Sequence, residues 1–326
     1  MLATVEDVKR LLSQGKKLAL AADEKLLDAL PRGEWIAGTI PYFMTEDGGQ
    51  VTRDKLYVDV MPSFLQSCRI DLYGEPELPR IAQESPEKGF SIVILPAFSK
   101  VHQDYALNAA SYDGIFLKSI FGWVSGIHLS DLGSASPKVF SGPTGESSSA
   151  KAVVMHVELP AEYRSTINVV NIFEQGDGDE IAFPLGGFQV ADCFINGKKK
   201  NFHDYVVENK LDTRLPLVAD FCGTMVNVSI QGLLEKEKTV QFYAPVFEGV
   251  NYRVAKPVED YAAKFHVAVP ARDLKPAIAC NCILNFLYGE LEGKKTGAIT
   301  GPMTFGEIAY QLLNQTMVSL EINKIG

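Results

Sequence analysis

The residues with the most chemistry to offer lie in GPMTFGEIAYQLLNQTMVSLEI, positions 301–322. One carboxylate, Glu307, and three hydrogen-bonding residues, Asn314, Gln315 and Thr316, stand there among apolar neighbours. Two arrangements explain such a set. The spacing Thr304-x-x-Glu307, with Ile308 and Leu312 one turn apart, fits a capping box at the start of a helix. In the alternative, Gly301, Pro302 and Gly306 bend the backbone and aim Glu307 into a cavity. There it takes a ligand ammonium through a charge-assisted hydrogen bond, and Asn314, Gln315 and Thr316 meet the ligand's polar end. A buried carboxylate is costly unless it finds Arg, Lys or backbone N–H partners. Arg253 is the candidate cation.

The second set is Cys280-Asn281-Cys282. In a strand the two thiols share a face. A tetrahedral metal site needs two further ligands, and no nearby Cys or His pair supplies them. The pair is then either two small buried hydrophobes or a reactive couple beside a pocket, with Cys282 or Cys280 as nucleophile. None of the five histidines forms a chelating helical pair. His156, within VVMHVEL, reads as a satisfied sheet residue. His102, within KVHQDY, is the one suited to a ligand-facing base or an axial haem ligand. Common catalytic signatures are missing. No G-x-G-x-x-G follows a strand, GELEGKK (289–295) is one residue short of a phosphate loop, and no H-E-x-x-H occurs. GWVSG (122–126) has its serine one place late for a nucleophile elbow. The acidic turn DGDE (177–180) lacks the twelve-residue calcium pattern.

These groups must be held by a substantial core. The chain has 326 residues, 46% hydrophobic and 22% charged, with a net charge of −9. That composition fits a globular protein of one large or two average domains. The acidic balance disfavours nucleic acid and anionic membrane, and Lys198–Lys200 reads as a solvated turn. No secretory signal opens the sequence and no apolar run of about 18 residues occurs. Five scattered cysteines do not make a disulfide framework, so thiols in a reducing, cytoplasmic setting are expected, most of them core residues.

Elements follow from periodicity and punctuation. Thr4 caps an amphipathic helix over VEDVKRLLS, which Gly15 stops. DEKLLDAL, KVHQDYALNAA and the segment after Asn196-Gly197 read as further helices. EWIAGTIPYFM and QVTRDKLYVDVM read as strands, with a bulge or close approach at Gly38. GFSIVILPAF (89–98) is apolar throughout and predicts a central strand buried on both faces. AKAVVMHVEL and INVVNIF are further strands. The order predicts an α+β (mixed α/β) fold with largely antiparallel sheets and flanking helices.

The C-terminal third, CNCILNFLYGELEG…TGAITGPMTFGEIAYQLLNQTMVSL, resembles the C-terminal half of FIST sensory domains. Shared features are a cysteine and small-residue strand, a glycine-led GEI turn and an N-x-T strand. CFINGKKKNFHDYVVENKLDTRLPLV resembles the segment joining that family's two halves, and VFEGVNYRVAKPV resembles its E-G-x-x-x-R strand pair. WIAGTIPYF is only loosely like the family's glycine-rich strand, and the usual Gly-Cys-Ser/Thr sequence is absent. The resemblance, to a divergent stand-alone bacterial branch, implies two closely packed halves, 1–195 and 196–326. It also implies a sensory module that binds an amino acid or related metabolite without catalysis, within or between the halves. In the family the GEI acid sits in a turn, which favours the cavity arrangement for Glu307. The expected ligand-binding residues are Glu307, Asn314, Thr316, Cys282, Asn281 and Arg253, with Gly38 and Thr39 from the first half. No output domain is visible, so a separate signalling protein is the expected partner. No resident cofactor is expected. The alternatives are a haem-linked nitric oxide sensor and a thiol-dependent enzyme.

Overall fold

The computed structural model describes residues 1–221, 223–269 and 276–325. Strands outweigh helices, 43% to 19%, and most ladders are antiparallel, so the fold is α+β as the element order predicts. Cys222, read with the other thiols, lies outside the described residues.

Gly89–Pro96 is a central strand because every residue after its first is apolar or small and can be buried on either face. It pairs in parallel with Ile120–Ser125 and antiparallel with Ala152–Glu158. Ser67–Tyr73 closes one edge of this six-stranded sheet. Glu307–Ala309 and Gln311–Leu313 close the other. A second sheet, centred on Leu18–Ala22 and Trp35–Thr39, packs against it. Gly38 makes that packing close. A Cβ there would lie 2.7 Å from the Ile94 side chain and 3.0 Å from Ser125 and Trp123. Gly38 is therefore a contact between two sheets and not a ligand residue.

The stretch EWIAGTIPYFM is not one strand. It breaks at Ile40-Pro41, and Tyr42–Thr45 joins a third sheet with Gly301–Thr304, Ile278–Cys282, Thr316–Lys324 and Tyr163–Asn171. Residues 181–254 build two further sheets around their own core of Phe183, Phe202, Phe242 and Tyr252. The boundary expected at 195/196 falls in the turn of a hairpin, Asp192–Ile195 with Lys198–Asn201, and needs correction. Strands after residue 278 return to complete sheets begun before residue 171, so the chain does not divide into two sequential halves. Pairing across a sheet is chosen by burial, not by nearness in sequence, and no local pattern records it.

The first helix, Val5–Ser13, starts where its sequence says it should. Thr4 Oγ1 accepts from Asp7 N at 3.2 Å, and the Asp7 carboxylate accepts from Thr4 N at 3.1 Å. Replacing Thr4 by Ala removes one side of that box. Thermal denaturation should show a loss of about 1 kcal/mol, and no loss would mean the exposed cap carries no stability.

Candidate functional site

Glu307 follows a bend at Phe305 and opens a short strand, not a helix. The capping-box reading of Thr304-x-x-Glu307 therefore gives way to a hairpin, Glu307–Ala309 with Gln311–Leu313, and the next strand starts at Thr316. The hairpin buries the carboxyl completely. Its Oε2 accepts from Thr316 N at 3.2 Å and from Thr316 Oγ1 at 2.9 Å, while Oε1 has no partner. The Cys282 thiol and the Thr304 hydroxyl lie beside it. Burial raises the Glu307 pKa to about 8 despite the pull of Thr316, so the group is a neutral acid at pH 7.

Cys282 ends the strand Ile278–Cys282 and precedes the helix Ile283–Tyr288. The backbone N–H groups of Gln315 and Leu284 face its sulfur. Burial pushes both the Cys280 and Cys282 thiols well up. Both lie within the field of Glu307, but their apolar neighbours differ. Cys280 belongs to the core cluster that contains Trp123, and Cys282 to the one that contains Phe286 and Met303. Asn281 joins this region through its Oδ1, which accepts from Cys282 N at 2.7 Å and from Asn285 Nδ2 at 2.9 Å. Asn314 donates to Leu313 O at 3.2 Å. Gln315, at φ 49°, accepts from Ser229 Oγ at 2.7 Å and donates to the Arg214 carbonyl at 3.2 Å. Glu307, Thr316, Cys282, Asn281 and Asn314 thus belong to one buried polar region around the last hairpin.

Two expected members lie elsewhere. Arg253 donates to Gly178 O at 2.6 Å and lines a surface cleft with Asp220 and Phe221, so it is not the counterion of Glu307. Thr316 supplies what a cation was expected to supply. Thr39 accepts from Lys138 N at 2.9 Å and lines a separate small cleft beside Arg53 and His128.

Next to the buried polar region is a cavity of about 220 Å3. Ile283 and Leu284, the two residues after Cys282, form part of its wall. Phe305, two residues before Glu307, forms another part. The rest comes from segments distant in sequence, including Phe98, His102, Phe188 and Tyr243. None of the described lining residues is charged. The polar groups are His102, Gln103, Gln231, Gln241 and the Tyr243 hydroxyl. His102 sits in the helix Lys100–Asn108, whose cap Ser99 accepts from His102 N at 3.1 Å. Its imidazole is buried and neither ring nitrogen has a partner. Burial lowers its pKa to about 4, so the neutral ring offers one donor and one acceptor. At the mouth, Phe98 is 53% exposed and holds φ at 65°. A bulky residue in that region costs about 1–3 kcal/mol, a strain that clusters at ligand sites. Sequence reasoning found His102 here but missed Phe98, Phe188, Tyr243 and Phe305, which carry no local signal beyond being aromatic.

Asp71, Glu84 and His156 also converge, as a metal site requires. Asp71 Oδ2 is held only by an ion pair with Arg69 at 2.9 Å, and the other two are engaged by hydrogen bonds. Tyr73 Oη donates to Glu84 Oε2 at 2.7 Å, so His156 Nε2–H donates to Tyr73 at 2.8 Å and Nδ1 accepts from Ser91 at 2.8 Å. Burial lifts the Glu84 pKa, but bonds from Arg69, Tyr73 and Arg80 outweigh it and hold the carboxyl at about 2. Two guanidiniums on one carboxylate repel a cation, and this network is structural.

The sequence model of a family of unknown function, DUF6976, matches residues 3–323. The chain belongs to that family. No curated protein and no solved structure matches it. No helix among the described residues is long and apolar enough to cross a membrane.

Proposed function

We propose that the chain is a non-catalytic sensory module that binds one compact, neutral, largely apolar molecule. The observation that carries this reading is the apolar cavity of about 220 Å3 with the doubly unpartnered His102 imidazole in its wall. Buried polar atoms left without partners are costly, and a ligand bearing a donor and an acceptor would satisfy both nitrogens. Apolar walls with a few convergent polar groups are the usual form of a small-molecule site. The uncharged lining narrows the amino-acid expectation, because a zwitterion there would leave both charges unpaired. Neutral relatives such as amides, lactams and small heterocycles fit better. The volume favours such molecules over haem. The FIST resemblance supports a sensory role, with a separate signalling protein as receiver, and the cysteine usage supports a cytoplasmic setting.

A panel of compact neutral heterocycles and amides, read by thermal shift, tests the reading. A ligand at a hundredfold over its Kd should stabilise the protein by about 2.7 kcal/mol. His102→Leu keeps the volume, so the unliganded protein should melt no lower. Affinity should fall about tenfold or more, since it loses one or two hydrogen bonds. Stabilisation by charged amino acids alone, or equal affinity in His102→Leu, would place the ligand outside this cavity.

A further inference from the structure

We infer that the cavity is a site for a purine base, with Gln241 and His102 reading its edge. This rests on the cavity being the ligand site and names the class of ligand. Size sets the first limit. A cavity of about 150 Å3 holds a benzene ring, so about 220 Å3 leaves room for a second fused ring. Charge sets the next. None of the described lining residues is a cation, so nothing there pairs with a phosphate.

The walls divide as a purine does, into flat apolar faces and a polar rim. Phe98, Phe188, Tyr243 and Phe305 supply rings. Phe98 meets Phe305 edge-on at 6.1 Å, and His102 meets Phe188 edge-on at 6.2 Å. Gln103, Gln231 and Gln241 supply carboxamides, each with a donor beside an acceptor. A purine edge carries the same two roles side by side, and a carboxamide meets it with two hydrogen bonds. A hydrocarbon of this size would leave the buried imidazole without partners, and a sugar would set its hydroxyls against the rings.

The sheet that carries two of the three carboxamides departs from regular pairing at the cavity. Its strands are Gly187–Val190, Thr239–Val246 and Ile230–Leu234, with the second in the middle. Ile230 stands opposite Phe242 and Gly232 opposite Gln241, so Gln231 is the extra residue of a bulge. On the other side the register shifts between Gly187 and Gln189, across Phe188. Bulges re-aim side chains next to functional sites, and both of these irregularities carry a residue of the cavity wall. Between them Gln241 and Tyr243, two positions apart, share a strand face. Gln241 is half-buried, whereas Gln103 and Gln231 are exposed. A hydrogen bond from the better shielded amide meets less competition from water, so Gln241 discriminates most.

Calorimetric titration of the full chain tests this with hypoxanthine, adenine, inosine, inosine monophosphate and 2-piperidone. The last is a lactam with an N–H beside a C=O but no aromatic face. At least one of the two free bases should bind one to one, about tenfold or more tighter than 2-piperidone. Gln241→Met keeps the stem, so the unliganded protein should melt no lower, while the base binds about tenfold more weakly. Phe188→Leu should weaken the base about fivefold or more and change 2-piperidone less than about twofold. A general loss of structure would weaken both alike and would overturn the role given to the ring. Inosine binding as tightly as hypoxanthine would support the same edge recognition and make the nucleoside the source. Inosine monophosphate binding more tightly than hypoxanthine would overturn the inference, because that needs a cation the lining lacks. So would a free base that binds Gln241→Met and His102→Leu as tightly as the parent. If both bases fail while 2-piperidone binds and weakens in His102→Leu, the ligand site stands and the purine assignment does not.

Discussion

Glu307→Gln should be more stable than the parent protein at pH 8, and its advantage should shrink as the pH falls. The unfolded carboxyl titrates near 4.5 and the folded one near 8. Below 4.5 both states hold the proton. Between the two values only the unfolded chain gives it up, so the stability tied to this group drains as pH rises and levels off above about 8. Two buried histidines act oppositely over part of that range. His102 and His156 are each lowered to about 4 by burial, so from 4 to 6.5 their stability rises with pH. The comparison is therefore made from pH 6.5 to 8, above the histidine range, where the other shifted groups act alike in both proteins. There the parent should lose roughly 2 kcal/mol more than Glu307→Gln, at 1.36 kcal/mol per pKa unit. Asp59, raised to about 7 by burial, contributes a smaller slope common to both proteins. Glutamine keeps an oxygen for Thr316 and cannot ionise, which isolates the effect. Parallel stability curves across this window in urea titrations would mean that Glu307 is ionised in the folded protein, with a partner still to be found.

Gly122→Ala should be among the most damaging single-methyl substitutions in the chain. Gly122 faces Val93 in the parallel ladder between Ile120–Ser125 and Gly89–Pro96. A Cβ there would overlap the Val93 carbonyl oxygen and lie 2.7 Å from its carbon and 2.9 Å from its nitrogen. The obstacle is the backbone of a central strand, which cannot rotate aside as a side chain can. Gly122 also pairs with Ile308, so a displaced strand would disturb the hairpin that holds Glu307. The expected loss is about 3 kcal/mol or more, at the upper end for overpacking. Thermal and urea denaturation should show it at once. A loss below about 0.5 kcal/mol would contradict the close approach of these strands. Gly114 is an informative comparison, since nothing stands within 4 Å of its Cβ position. Its φ of 75° leaves only the backbone strain of a left-handed alanine, about 1–2 kcal/mol.

Much of the local structure was legible in the residues. The unbroken apolar run at 89–98 announced a central strand, and Thr4 with Asp7 announced a helix start. Glu307 with Asn314, Gln315 and Thr316 announced a buried polar region. The expected partner of Glu307 was wrong because a cation was sought where a neighbouring strand's hydroxyl and amide were enough. Gly38 was read as a ligand contact because a glycine in a strand signals close approach without naming what approaches. The cavity was illegible, since its walls come from at least five segments spread between Ala97 and Phe305.

By itself the sequence determined the kinds of element, their caps and the presence of polar groups too apolar in their surroundings to be solvated. Those properties depend on periods of two and 3.6 residues and on side chains a few positions apart. Only the tertiary structure decided that the last strands return to sheets begun by the first. That return sets Thr316 against Glu307 and places Cys282 behind a cavity walled by His102. The physical reason is that burial selects strand partners over the whole chain at once, and no short stretch holds that information.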